Sequence, residues 1–170
     1  MNLKRYIRNI PDFPKKGILF RDITPLLNNK NAFKATVDEL AKLLKGKKID
    51  YIVAAEARGF IFGAALSYKL NCGFVPVRKP NKLPYKTYSY TYELEYGKDT
   101  LEIHQDAIKP KSDVLILDDL LATGGTALSI INLVKNFNAK IVGIVFVIEL
   151  TDLKGKEKLK DYPVYSLIKF

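Results

Sequence analysis

The chain has 170 residues, and 48% of them are hydrophobic, which suffices for one core and leaves no room for a second full domain. The longest apolar runs, such as residues 141–148, are too short to cross a bilayer, and no apolar signal segment follows Met1, so we expect a cytoplasmic protein without membrane contact. One cysteine and one histidine exclude an internal disulfide and a Cys/His metal cluster. Any metal would therefore be a hard cation held by oxygens.

The net charge of +10 suits either a nucleic-acid surface or a site for a polyanionic small molecule. Lysines dominate this charge and are scattered along the chain in short clusters. No stripe interleaves arginine with aromatic residues, as stacking surfaces for nucleic acids require. We therefore do not expect nucleic acid to be the partner.

Taken in chain order, the sequence alternates helix-like and strand-like segments. Apolar residues within 33–44 recur on one helix face, with Asn31 as a plausible cap and Gly46 as the stop. Further helices are predicted at 60–70 and 126–137. Continuous apolar runs predict buried strands at 51–55, 74–77, 114–117 and 141–148. This alternation predicts an α/β fold with a central parallel sheet flanked by helices.

Two segments of this single domain, 1–170, do not fit the alternation. Within 80–105, tyrosines at even positions alternate with polar residues at odd positions, and Gly97-Lys98 offers a turn. We interpret this segment as an antiparallel hairpin outside the main sheet, serving as a mobile lid. The other exception lies within 1–28, where three prolines and Gly17 indicate an extended arm.

The most specific motif runs through residues 114–126. An apolar strand ends in Asp118 and Asp119, at the edge of an α/β sheet where ligands bind. The following turn, Ala122-Thr123-Gly124-Gly125-Thr126, leads into a helix whose backbone N–H groups can surround a phosphate. It matches neither a nucleotide-triphosphate P-loop nor a dinucleotide fingerprint. Paired carboxylates beside a phosphate loop predict a cradle for ribose 5-phosphate.

This motif resembles the 5-phosphoribosyl-1-diphosphate signature of the type I phosphoribosyltransferases. From about residue 6 onward the chain is similar to the adenine branch of that family, through motifs that stand in the family's order: Pro11-Asp12-Phe13-Pro14, residues 17–25, Glu56-Ala57-Arg58-Gly59-Phe60, Arg78-Lys79, Lys82-Leu83-Pro84, Leu94-Glu95-Tyr96-Gly97 and Glu149-Leu150-Thr151. Tyr85 departs from the pattern, since many members carry glycine there, which makes the start of the lid bulkier.

The resemblance implies an activity and its partners. Ribose 5-phosphate would pass from 5-phosphoribosyl-1-diphosphate to adenine, giving AMP and pyrophosphate in purine salvage. Mg²⁺ would be the cofactor, carried mainly by the substrate's own oxygens and not by direct protein ligands. A homodimer is also implied.

The resemblance also assigns roles to individual residues. Adenine would be bound by Leu19, Phe20 and Arg21 of the arm, and pyrophosphate by Arg58, Gly59, Arg78, Lys79 and Lys82. Glu95 would be the general acid and base for the purine proton, and Tyr96 a residue of the lid. From residue types alone, Arg58 serves equally well as a loop cap, Leu19 and Phe20 as core residues, and Glu95 as a solvated glutamate.

Three other functions stay open at this point. A related transferase for hypoxanthine, guanine or xanthine would keep the same phosphate loops. A regulatory protein could keep the sugar-phosphate cradle without catalysis, and a basic RNA-binding module would show steeply salt-dependent binding.

Overall fold

The computed structural model describes residues 1–94 and 97–170, and the elements below are those of these residues. The strands in chain order are β1 (Arg8–Ile10), β2 (Phe20–Asp22), β3 (Tyr51–Ala55), β4 (Gly73–Val77), β5 (Thr87–Leu94), β6 (Gly97–His104), β7 (Asp113–Leu121), β8 (Lys140–Glu149) and β9 (Val164–Lys169). The α-helices are α1 (Thr24–Asn28), α2 (Lys30–Leu43), α3 (Arg58–Leu70) and α4 (Gly125–Val134). Short 3₁₀ turns cover Leu3–Tyr6, Lys135–Phe137, Thr151–Leu153 and Gly155–Leu159.

Five of these strands form one parallel sheet in the order β4–β3–β7–β8–β9. Its central strand, β7, is buried between neighbours on both sides, which explains its nearly continuous apolar sequence. The predicted α/β fold with a central parallel sheet is therefore confirmed. Strand β9 was not predicted, because its mixture of polar and apolar residues gives no clear periodicity.

Successive residues of the strands supply cores on opposite faces of the sheet. On β3, Ile52 and Ala54 belong to a core that includes α1, α2 and α3, while Val53 and Ala55 belong to a core with α4 and β6. Side chains in a strand alternate between faces, so each strand stabilises both layers. The carboxyl ends of the strands are left at one edge of the sheet, where loops can form a site.

The helix bounds differ from the sequence expectations in three places. Asn29, not Asn31, caps α2, since its side chain accepts hydrogen bonds from the backbone N–H groups of Asn31 and Ala32. Helix α3 begins at Arg58, so that residue lies in the first turn and not in the preceding loop. Helix α4 ends at Val134 and continues as a 3₁₀ turn.

The segment after β4 forms an antiparallel hairpin of β5 and β6, separate from the main sheet as predicted. Backbone hydrogen bonds of 3.0 and 2.7 Å between Arg78 and Glu102 join it to the end of β4. Tyr88, Tyr90 and Tyr92 pack against the core that includes α4, so the tyrosines form the apolar side of the hairpin. Whether the arm and the hairpin act as separate mobile parts remains a prediction.

None of the helices in the described part of the chain combines the length and the apolar character needed to cross a membrane.

Candidate active site

A cavity of about 310 Å³ opens at the carboxyl ends of β3 and β7, beside the start of α4. Its lining comes from three places in the chain: Glu56, Ala57 and Arg58 after β3; Asp118 to Ala127 from β7 into α4; and Phe146 of β8. The parallel topology explains this meeting, because the carboxyl ends of neighbouring strands share one edge of the sheet.

Strand β7 runs further than predicted, so Asp118 and Asp119 lie within it. Asp119 is only 5% exposed, whereas Asp118 is half-buried at the cavity and its Oδ1 accepts a hydrogen bond of 2.9 Å from Asp119 N–H. Burial, followed by the neighbouring Asp119 charge, raises the pKa of Asp118 well above its usual range. Burial also raises the pKa of Asp119, while the Arg58 guanidinium opposes that rise. The pair therefore resists carrying two charges without a ligand.

Arg58 is held beside these carboxylates by the first turn of α3, with its Nε 2.9 Å from Asp119 Oδ2. The turn can lie this close because the next residue is Gly59, where a Cβ atom would be 2.9 Å from Asp118 Oδ1. The Arg58 side chain is about one third exposed and borders the cavity, so its guanidinium can donate to a ligand while it neutralises Asp119.

The glycine-rich loop turns sharply at Gly124, which has φ of +82° and caps α4. A Cβ there would lie 2.7 Å from the carbonyl oxygen of Gly155, in a 3₁₀ turn packed behind the loop. The first intrahelical bond of α4 runs from Leu128 N–H to Gly124 C=O, so the preceding N–H groups have no partner within the helix. These N–H groups and the positive end of the helix dipole can bind a phosphate.

The hairpin reaches this loop through Tyr92. Its ring carbons lie 3.8 Å from the position that a Cβ on Gly125 would take, and its hydroxyl donates a 3.0 Å hydrogen bond to Asp99. Burial raises the pKa of Tyr92, while a hydrogen bond with Thr126 lowers it. Neither Tyr92 nor Gly155 was predicted as part of the site, because each is separated in sequence from the motif that it supports.

The basic residues after β4 lie beside the cavity but not in its lining. Arg78 pairs with Glu56 at 3.4 Å and donates to the carbonyl oxygen of Lys82, while the backbone N–H of Lys79 donates to Glu56 at 2.6 Å. The side chain of Lys79 contacts Asp99 of the hairpin. The structure thus pairs the Arg78 side chain with Glu56 and the Lys79 side chain with Asp99, while Lys82 joins this group through its carbonyl oxygen.

The arm reaches the cavity through Phe20. Its ring packs edge-to-face on Phe13 at 5.1 Å, and the Arg58 guanidinium carbon lies 5.2 Å from its centroid. Leu19 beside it is 45% exposed, although it is a large apolar residue. Arg21 points elsewhere and lies over the ring of Phe170. The structure therefore connects the arm to the cavity through the contact of the Phe20 ring with Arg58.

Two predicted residues, Glu95 and Tyr96, lie outside the described residues. Within 1–94 and 97–170, no three histidine, cysteine or acidic side chains come together as a metal site. The predicted ribose 5-phosphate residues, from Asp118 to Thr126, are brought together with Arg58 and Gly59.

A parallel α/β sheet with paired aspartates and a phosphate loop at one edge defines the class of phosphoribosyltransferases. Residues 24–170 match the family model described as phosphoribosyl transferase domain. This region includes every part of the cavity.

Similar proteins narrow the class. An adenine phosphoribosyltransferase of Brachyspira hyodysenteriae is 60% identical over 170 residues, which is all of both chains. The crystal structure of the enzyme from Thermoanaerobacter pseudethanolicus has a TM-score of 0.97 and 56% identity, covering 99% of this chain and 98% of that one. The Saccharomyces cerevisiae enzyme, solved with adenine and D-2,5-dideoxy-2,5-imino-altritol 1,6-bisphosphate, has a TM-score of 0.91 and 44% identity, with coverage of 97% and 96%. This chain belongs to the adenine phosphoribosyltransferase family.

Proposed function

We propose that the cavity binds 5-phosphoribosyl-1-diphosphate and that the enzyme transfers its ribose 5-phosphate to adenine, giving AMP and pyrophosphate in purine salvage. The observation that carries this proposal is the juxtaposition of Asp118 and Asp119 with the start of α4 in one cavity. Carboxylates accept hydrogen bonds from sugar hydroxyls, and a helix N-terminus binds phosphate. A sugar phosphate uses both groups at once, its hydroxyls on the carboxylates and its phosphate on the helix N-terminus.

The 5-phosphate would be bound by the N–H groups of the loop Ala122-Thr123-Gly124-Gly125-Thr126 and by its two threonine hydroxyls. The ribose hydroxyls would donate to Asp118 and Asp119. This binding relieves the repulsion within the aspartate pair, whose raised pKa values express the cost of two ionised carboxylates in a buried place. The paired charges would then favour the positive charge that develops on the ribose as pyrophosphate leaves.

The diphosphate end would lie near Arg58, whose guanidinium is fixed by Asp119 and borders the cavity. Gly59 allows the backbone to approach, and Arg78, Lys79 and Lys82 supply further positive charge nearby. Binding of the diphosphate by Arg78 or Lys79 requires each to leave its present partner, Glu56 or Asp99. We treat these three residues as pyrophosphate-binding by resemblance.

Mg²⁺ is the proposed cofactor. Three carboxylates line the described cavity, and two of them are already paired, Glu56 with Arg78 and Asp119 with Arg58. Asp118 is then the carboxylate with most freedom toward a ligand, so a Mg²⁺ ion would take most of its oxygens from the substrate and water. When bound, the ion supplies neutralisation of the diphosphate leaving group.

The backbone at Leu19, Phe20 and Arg21 would form hydrogen bonds with the edge of adenine. The aromatic and apolar side chains of this segment would cover the face of the base. The contact between Phe20 and Arg58 supports this placement, because it brings the arm to the diphosphate end of the cavity. The presence of adenine in the yeast relative's complex also supports it. Glu95, by resemblance, would hold and move the proton on the imidazole edge of the purine, and Tyr96 would belong to the lid.

Two further proposals, on cellular location and oligomeric state, rest on composition and surface exposure. A cytoplasmic location agrees with the single cysteine, Cys72, which needs no oxidising compartment. A homodimer would cover large apolar side chains on α3, including Tyr68 at 91% exposure and Ile61. Analytical ultracentrifugation at several protein concentrations tests the dimer.

The test of the main proposal is a set of parallel assays with Mg²⁺, 5-phosphoribosyl-1-diphosphate and one purine base each. Adenine should give AMP and pyrophosphate with the highest kcat/KM, ahead of hypoxanthine, guanine and xanthine. A higher kcat/KM for another base would overturn the assignment to adenine, and binding of the sugar diphosphate without turnover of any base would favour a regulatory protein. A competing short RNA whose binding falls steeply with salt would favour the nucleic-acid alternative.

A further inference from the structure

Two cationic side chains from the amino-terminal part of the chain lie over the ring of Phe170. The guanidinium carbon of Arg21 lies 3.9 Å from the centre of the ring, and Lys4 Nζ lies 4.2 Å from it. Both distances are well within the range of cation–π attraction. Arg21 belongs to β2, between Phe20 and Asp22, so this contact acts on the segment proposed to read adenine.

Phe170 itself is fixed to the central sheet. Its N–H donates to the carbonyl oxygen of Glu149 at 3.0 Å, and its carbonyl oxygen accepts bonds from Thr151 N–H at 2.9 Å and Thr151 Oγ1 at 2.7 Å. Glu149 ends β8, at the same edge of the sheet as the cavity. The ring is therefore held by the rigid part of the molecule.

The guanidinium of Arg21 has few other supports. Its Nη1 contacts the side chain of Asn9 on the neighbouring β1, while its buried Nε has no hydrogen-bond partner among residues 1–94 and 97–170. A buried donor without a partner costs free energy, so the attraction to the ring is a main compensation for placing this charge here. Removing the ring should therefore release Arg21 and loosen β2.

We propose that Phe170 is a positioning residue for adenine: its ring, fixed at the end of the sheet, holds Arg21 and thereby sets the backbone of residues 19–21 against the base. The inference rests on the proposed role of that backbone in binding adenine. Phe170 is not among the residues that line the described cavity, so its effect should fall on the base and spare the sugar phosphate.

The experiment measures dissociation constants of AMP and of ribose 5-phosphate by calorimetry on the full chain. The ratio of the two constants isolates the contribution of the base, because both ligands share the sugar phosphate. A cation–π contact of about 0.5–2 kcal/mol corresponds to roughly 2- to 30-fold. We expect Phe170→Leu to weaken AMP by a factor in that range and to change ribose 5-phosphate less than two-fold.

Two variants separate the cation–π contact from packing. Phe170→Tyr keeps an aromatic face and should restore AMP affinity to within about two-fold of the original. Phe170→Met has a flexible apolar side chain that can fill the space differently from leucine but has no aromatic face. It should behave like Phe170→Leu, and it carries the test if the leucine variant does not fold.

The matched control is Tyr165→Leu on β9, the strand that ends one residue before Phe170. Tyr165 also lies near a lysine, with Lys47 Nζ 5.6 Å from its ring, but neither residue of this pair belongs to the arm. It should leave the ratio of the two constants unchanged.

The possible outcomes distinguish a failure of the role proposed for Phe170 from a failure of the proposed base site. If the original protein binds AMP no more tightly than ribose 5-phosphate, the proposed base site itself is wrong. If it prefers AMP and both the leucine and methionine variants keep that preference, the role of Phe170 is overturned. An equal loss for both ligands, or a tyrosine variant as weak as the leucine variant, would overturn it as well.

Discussion

The phosphate cavity and the base-binding region are built on different principles. The cavity comes largely from one continuous stretch that leaves the central strand and enters a helix, and its shape is fixed by close packing at Gly59, Gly124 and Gly155. The proposed base-binding region combines the arm, where Phe13 and Leu19 are exposed, with the hairpin, and Phe20 connects the arm to Arg58 at the cavity. On the proposed assignments, recognition of the common sugar phosphate is part of the core, whereas recognition of the base is added around it.

The largest effect should come from the proposed acid and base on the hairpin. Glu95→Gln keeps the shape of the side chain but cannot transfer the purine proton, so kcat should fall by roughly 10²- to 10⁴-fold while the substrates still bind. Single-turnover measurements report the chemical step directly. Glu93→Gln and Glu102→Gln are the controls and should stay within a few-fold of the original rate. A Glu95→Gln enzyme with normal turnover, or a Glu102→Gln enzyme with the larger loss, would move the role elsewhere.

The next effect concerns the ribose. Asp118→Asn replaces a charged acceptor, so the dissociation constant of 5-phosphoribosyl-1-diphosphate should rise about 10- to 100-fold, as expected for bonds to a charged group, while adenine changes little. Arg58→Ala should act in the same direction. Asp106→Asn, an exposed site with the same change of charge, controls for the general attraction of anions. Unchanged binding in both site variants would remove these residues from the sugar diphosphate.

Asp118 also makes the stability of the folded protein depend on pH. Its pKa in the folded protein is raised above the ordinary value of 3.8, so the folded state binds protons more readily than the unfolded state between the two values. This contribution to stability is complete at low pH and is lost as the pH rises through the raised pKa. Asp118→Asn should therefore melt at a higher temperature than the original protein at pH 7, with the difference vanishing near pH 3. Thermal melts across that range measure it, and a lower melting temperature at pH 7 contradicts the pKa argument.

A glycine pair tests whether packing or backbone conformation shapes the phosphate loop. Gly124→Ala and Gly46→Ala both place a side chain at a φ near +80°, but only the first meets another atom, Gly155 O. Each should pay about 1–2 kcal/mol for the left-handed conformation, and Gly124→Ala a further 1–3 kcal/mol for overpacking. Denaturant unfolding measures the difference, and calorimetry should find weaker sugar diphosphate binding in Gly124→Ala alone. Equal costs would show that the contact with Gly155 is easily relieved.

The smallest effect is expected in the base-binding region. Leu19→Ala removes part of the apolar surface proposed to cover adenine, which should raise the KM for adenine about two- to five-fold and leave that for the sugar diphosphate unchanged. Leu153→Ala is the control, since Leu153 is 48% exposed and Leu19 45%. A parallel change in both variants would indicate a general effect of surface leucines.

The same contrast explains what could be predicted from the sequence. The fold and the cavity follow from local signals, because apolar runs, paired aspartates and consecutive glycines lie in one stretch. The parallel order of strands then brings Arg58 to Asp119. Strand β9 could not be predicted, because most of its residues are half-buried and their polarity is mixed.

The contacts that could not be predicted join distant parts of the chain. Nothing near Phe170 signals a partner in the arm, nor does Gly155 signal its position behind the phosphate loop. Asp99 likewise looks like a solvated residue of a hairpin, although it contacts Lys79 and Tyr92. Such contacts depend on three-dimensional packing, for which sequence spacing carries no information.

The strand order has a consequence for how the protein is made. Strand β3 is flanked in the sheet by β4 and β7, and β7 begins only at Asp113, after the whole hairpin has been synthesised. A nascent chain shorter than this can pair β3 with β4 but lacks the strand that completes the buried centre. Parallel pairing between segments far apart in sequence forms slowly, because the intervening loop must close first. Helices α2 and α3 can already cover Ile52 and Ala54 of β3, but Val53 and Ala55 face α4 and stay open on the ribosome until that later part of the chain emerges. We therefore expect the nascent chain to bind chaperones through this face during translation.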